Sequence, residues 1–122
     1  MKRALYVEDD MINRLIMAKY LINDFIVDTA SSSTECFLQI ERNTYDVILL
    51  DINLGHNDID GITLMKQIRK LNLHRKVIFG AITAYVDTND KSAILNAGFD
   101  LFHPKPIDRT KLILELNTLL KN

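Results

Sequence analysis

The chain has 122 residues, 48% of them apolar and 25% charged, which suits one folded domain and excludes a disordered chain. A formal net charge of -1 gives no electrostatic case for direct nucleic acid binding or for an anionic membrane surface. Cys36 is the sole cysteine, so no disulfide forms within the chain and a reducing, cytoplasmic setting is expected.

Residues 4 to 7 are a short apolar run that stops at Glu8-Asp9-Asp10, too brief for a signal-peptide core or a membrane span. Residues 11 to 22 have helical spacing, with Leu15 and Ile22 on one line and Ile12 and Ile16 on another. Asp10 is placed to cap that helix. Residues 25 to 30 are a weaker strand, mixed with Asp28 and Thr29 and expected nearer an edge. Ser31 to Ser33 offer N-caps for a helix through Cys36, Phe37 and Ile40. Val47-Ile48-Leu49-Leu50 is a continuous apolar run of the kind buried on both faces in a parallel sheet, and it ends at Asp51.

A loop rich in Gly, Asn and Asp, residues 55 to 61, leads to a helix carrying Ile62, Leu64, Met65, Ile68 and Leu71. Residues 77 to 82 form the next strand, closed by Thr83-Ala84. Thr88 or Asp90 is expected to cap a helix over Ile94 and Leu95, with Gly98 as its stop. Residues 100 to 103 are a short strand, and Pro104-Lys105-Pro106 forbids a helix there. The last helix, 109 to 120, has Leu112, Ile113, Leu116, Leu119 and Leu120 on one face, with Leu114 about 150° away from that stripe. Strands alternating with helices predict a single α/β domain with a doubly wound parallel sheet.

Right-handed crossovers bring every strand's C-terminal end to one edge of such a sheet, and ligands bind there where the strand order reverses. In the order 2-1-3-4-5 the reversal lies between strands one and three. That places Glu8, Asp9 and Asp51 beside Thr83 and Lys105. Neighbouring carboxylates raise one another's pKa unless a counter-charge is present, and a hard cation with oxygen ligands, Mg²⁺, resolves the conflict. A metal with open positions, a lysine and a hydroxyl are equipment for phosphoryl transfer. Asp51 at the centre points to a carboxylate nucleophile that forms an aspartyl phosphate.

Glu8-Asp9 after an apolar strand, Asn13-Arg14, Leu50-Asp51, Asp60-Gly61, Thr83-Ala84, Ala97-Gly98 and Lys105-Pro106 together resemble the receiver domain of two-component response regulators. The resemblance covers essentially the whole chain in order. It implies a five-stranded parallel sheet of order 2-1-3-4-5 flanked by five helices, with Asp51 as phosphoacceptor. It further implies Mg²⁺ on Asp9 and Asp51 directly, on Glu8 through water and on the Asn53 backbone carbonyl. Lys105 would hold phosphoryl oxygens, with a cis bond to Pro106 aiming its side chain. Thr83 would move toward the phosphoryl group, and Phe102 would swing inward behind it.

The implied partners are a histidine kinase or histidine phosphotransfer protein and a downstream protein target, with a homodimer allowed. Ile12 and Ile16, beside the acids, are the expected docking point for a phosphodonor. Phe102 stands where the family more often has Tyr, and the 51–61 loop is longer than the common form and lacks its Pro. Asn53 and Tyr85 occupy positions that tune phosphoryl lifetime in the family.

Two other functions compete. A turnover aspartyl-phosphate phosphatase would carry a second acid two residues after the nucleophile, where this chain has Asn53. A phosphate-independent binding module would have no need of Asp9, Asp51, Thr83 and Lys105 together. His56, His74 and His103 are expected as exposed loop residues, not phosphoryl carriers or zinc ligands. Cys36 is expected in the core.

Overall fold

The computed structural model describes residues 1–71, 73, 76–84 and 88–121, and of residues 88–90 the backbone alone. The elements in order are β1 (Arg3–Val7), α1 (Met11–Leu21), β2 (Ile26–Ala30), α2 (Ser33–Arg42) and β3 (Val47–Asp51). They continue with α3 (Gly61–Arg69), β4 (Ile78–Thr83), α4 (Thr88–Ala97), β5 (Leu101–Pro104) and α5 (Arg109–Leu119). The strands form one parallel sheet in the order β2-β1-β3-β4-β5, as expected. Val7 is in register with both Ala30 and Leu50, and Thr83 with Pro104, so the C-terminal strand ends lie level along one edge.

Strand periodicity splits the core into two layers. Leu5, Val7, Ile48, Leu50 and Phe79 face Cys36 of α2, Leu64, Met65 and Ile68 of α3 and Ile94 of α4. Ala4, Tyr6, Val47, Leu49 and Ile82 face Met17 and Leu21 of α1 and Leu112 and Leu116 of α5. Every residue of β3 and β4 is buried, which is why their sequences read as unbroken apolar runs. Each large aliphatic side chain in these layers contributes about 1.5–3 kcal/mol of burial energy.

Helix ends follow local chemistry. Asp10 accepts from the Ile12 and Asn13 N–H groups, as its capping position implied. Ser32, Asp60 and Asp108 cap α2, α3 and α5. Gly98 has φ +125 directly after α4. The side chains of Thr88 and Asp90, like His74 and Tyr85, lie outside the described residues.

Some expectations are corrected. His103 is 8% exposed, not a loop residue, and its Nε2 lies 2.7 Å from Glu115 Oε1. The alternation of β5 turns it, with Leu101, toward α5, while Phe102 packs into the opposite layer. On α1 the residues that meet the sheet are Met17 and Leu21, not the Leu15–Ile22 line, which is exposed; Ile12 and Ile16 are exposed as a docking point requires. Leu71 lies beyond the end of α3. Leu119 is partly exposed and Leu114 is 67% exposed on α5.

Candidate functional site

The C-terminal ends of β3 and β4 and the loops after β1, β3 and β5 bring Glu8, Asp9, Asp51, Asn53, Thr83 and Lys105 to one crevice of about 600 Å³. Lys105 Nζ donates to Glu8 Oε1 and to Asp51 Oδ2, both at 2.7 Å. Glu8 and Asp51 are buried although each ends an apolar strand, so the ammonium offsets two desolvated carboxylates at once. Asn13 Nδ2 donates to the same Glu8 oxygen at 2.7 Å, and the Arg14 guanidinium donates to the Glu8 carbonyl at 2.7 Å. Asn13 and Arg14 thus fix Glu8, a role that spacing alone did not reveal. The first turn of a helix after a strand is where such a residue reaches back to the strand end.

Burial and the adjoining Asp51 carboxylate push the Glu8 carboxyl above the usual range, against the pull of Lys105 and Asn13. Burial alone would lower Lys105. Its contacts with Asp51 and Glu8 outweigh that and hold the ammonium above its ordinary value.

Glu8 Oε2 is buried without a hydrogen-bond partner. Glu8, Asp9 and Asp51 each offer a carboxylate oxygen within 4.8 Å of the others, the one such acid group among the described residues. Three carboxylates that offer hard oxygen donors, beside a buried Glu8 oxygen that no hydrogen bond satisfies, fit a divalent cation of the Mg²⁺ type. Asn53 lines the same crevice, and its N–H donates to Asp51 Oδ1 at 3.0 Å.

Thr83 is 1% exposed at the end of β4, and its carbonyl accepts from the Lys105 N–H at 2.7 Å. The Lys105–Pro106 bond is cis. Phe102 is half-buried beneath the neighbouring face, with Lys91 Nζ 5.9 Å from its ring centroid. Ile12 and Ile16 are 63% and 44% exposed, outside the acid cluster. Ile16 lines a smaller groove of about 130 Å³ with Tyr6, Tyr20, Lys105 and Pro106. His56 is exposed as expected, yet it also forms part of the crevice wall. Cys36 is fully buried, and burial together with Asp58 pushes its thiol up to about 12.

The family model for the response regulator receiver domain matches residues 4–117. The chain belongs to that family. The response regulator ArlR of Staphylococcus saprophyticus is 34% identical over 122 residues, covering 99% of this chain and 53% of its own length. Hybrid signal transduction histidine kinase B of Dictyostelium discoideum is 28% identical across 94% of this chain and 6% of the kinase. The chain therefore spans about half of the one relative and a small part of the other.

Among solved structures, a CheY-like receiver domain from Methylobacillus flagellatus superposes with a TM-score of 0.87 at 28% identity, covering 98% of both chains. A two-component response regulator from Clostridium difficile gives 0.88 at 26% identity, over 100% of this chain and 98% of that one. The receiver fold anticipated from the sequence is the fold observed. Among the receiver's described residues, no helix is long and apolar enough to cross a membrane.

Proposed function

We propose that this receiver is a phosphorylation-activated switch that takes a phosphoryl group onto Asp51 from a histidine kinase or histidine phosphotransfer protein. The observation that carries this reading is Lys105 Nζ, held 2.7 Å from both Asp51 and Glu8 at the junction of three carboxylates. Asp51 is the nucleophile: an Oδ attacks the donor's phosphorus, the donor's P–N bond breaks, and an acyl phosphate forms on the carboxylate. Glu8, Asp9, Asp51 and the Asn53 carbonyl would hold Mg²⁺, which supplies charge neutralisation for the transferred group. Lys105 then exchanges its contact with Asp51 for a phosphoryl oxygen, and Thr83 Oγ1 donates to another. The chain acts as a phosphoacceptor rather than as a turnover enzyme.

Signal follows from the same contacts. Drawing Thr83 toward the phosphoryl group vacates space behind it, and Phe102 moves in, altering the α4–β5–α5 face offered to a downstream protein or to a second copy. A switch from mostly off to mostly on needs about 5 kcal/mol of difference between states. Two charge-assisted contacts at ~1.5–3 kcal/mol each supply that. Ile12 and Ile16 form the docking point for the phosphodonor protein.

Incubation with a small-molecule phosphodonor and Mg²⁺, followed by intact and peptide mass spectrometry, tests the reading. A base-labile phosphoryl gain on Asp51 that depends on Mg²⁺ supports the switch. Continuous release of inorganic phosphate from added phosphomonoesters would make the chain a phosphatase. No reaction at all would leave a phosphate-independent binding module.

A further inference from the structure

We propose that Asp58 is a positioning residue for the metal site, clamping the β3–α3 connection onto the start of α2 so that Asn53 and Gly55 stay seated against Asp51 and Asp9. This rests on the Mg²⁺-dependent reading of the crevice and adds a partner for it outside the crevice.

The connection spans residues 52–60. Leu54 is 4% exposed and packs into the core layer that contains Cys36 and Leu64, with Ile52 and Ile59 half-buried against the same layer. Asp58 is its polar anchor to a neighbouring helix. One carboxylate oxygen accepts from the Ser33 backbone N–H at 2.8 Å; the other accepts from the Ser33 hydroxyl and from the Ile59 N–H at 2.8 Å. Ser33 is the first residue of α2, behind its Ser32 cap. The carboxylate therefore satisfies an N–H that a helix start leaves open, and sets negative charge at the positive end of the helix.

Between the carboxylates and the clamp, the backbone bears directly on the site. Asn53 N–H donates to Asp51 Oδ1 and Gly55 N–H donates to Asn53 Oδ1, each at 3.0 Å. Gly55 has φ +100, and a Cβ built there would lie 3.3 Å from Asp9 Oδ2. The connection thus passes from one metal-binding carboxylate to the other with little room between it and Asp9. Releasing Asp58 leaves residues 55–58 tethered only by the core-packed Leu54 and Ile59 on either side, and the cost of ordering them again falls on metal binding. Partners that orient metal-holding groups from behind characteristically change affinity by 10–100-fold when removed.

Calorimetric titration of Mg²⁺ into the unphosphorylated protein, with melting curves on the same samples, tests the clamp. Asp58→Ala is expected to weaken Mg²⁺ about tenfold. Ser33→Ala, which removes one hydrogen bond and leaves the carboxylate, is expected to weaken it about threefold. Ser33→Thr restores binding, which a purely structural loss would not require. Should Asp58→Ala fail to fold, the Ser33 pair carries the test alone. Wild-type affinity in Ser33→Ala, or in a folded Asp58→Ala, overturns the clamp while leaving the site intact. Absence of Mg²⁺ binding by the wild type overturns the reading of the site, and the clamp with it.

Discussion

Gly61 lies against the Asp51 main chain so closely that a Cβ at residue 61 would stand 2.3 Å from the Asp51 carbonyl oxygen. The start of α3 is thereby pressed onto the strand end that carries the central carboxylate, and the Gly61 N–H donates to the Ile52 carbonyl at 2.9 Å.

Gly61→Ala therefore has to push backbone against backbone. The expected cost is about 1–3 kcal/mol of stability, measured by urea unfolding. Displacement of Asp51 should also slow small-molecule labelling on the order of tenfold to a hundredfold. Wild-type labelling in a folded Gly61→Ala protein would show that the carboxylate's placement does not depend on this contact.

Asp51→Asn and Lys105→Ala should move stability in opposite directions when Mg²⁺ is absent. The first removes one of two adjoining buried carboxylates and is expected to raise the melting temperature while abolishing labelling. The second leaves Glu8 and Asp51 without their shared ammonium, costing about 3 kcal/mol. Saturating Mg²⁺ should recover a large part of that loss, because the cation supplies the missing charge. A Lys105→Ala protein as stable as wild type in chelator would refute this account of the crevice. Some label should still reach Asp51 in that variant, without the spectral change that reports the switch.

Asp58 predicts an acid-dependent term. Burial opposes its charge, but the Ser33 hydroxyl and N–H and the Ile59 N–H prevail and hold the carboxyl below the usual range. Stability from a depressed carboxyl is present in full above its unfolded pKa, about 4, and is lost as pH falls through the lower folded value. Asp58→Asn should accordingly cost about 1 kcal/mol at neutral pH, a modest figure because the group is partly solvated. The difference should vanish in strong acid. A gap between the two proteins that stays constant from pH 7 to the acid limb would exclude an ionic contribution.

Ile12 and Ile16 separate docking from chemistry. The double substitution Ile12→Asp, Ile16→Asp should slow transfer from a histidine phosphotransfer protein by tenfold or so, since truncating an apolar anchor costs more than 1 kcal/mol. Labelling by a small phosphodonor should remain at the wild-type rate. Equal slowing with both donors would point to damage inside the crevice.

How much of this was visible in the residues depends on which forces are local. Strands β1, β3 and β4 are legible because burial on both faces leaves runs such as Val47 to Leu50 without a polar break. The acids and Lys105 are legible because parallel topology carries strand ends to one edge. The buried side of α1 was not legible: apolar residues occupy several faces, and only docking on Tyr6 and Phe25 selects Met17 and Leu21. His103 was misplaced for a related reason. A strand of four residues does not announce which of its faces is covered, and the pleat of β5 turns the imidazole toward Glu115, which approaches from α5. The Ser33–Asp58 link joins residues 25 apart and has no sequence period to announce it.

Glu8 and Lys105 meet although they lie 97 positions apart in the chain. A nascent chain thus keeps two buried acids without their shared ammonium until β5 has emerged and joined the sheet. Any product that stops short of Lys105 would carry that uncompensated pair, a handicap to stability that a quality-control protease could read.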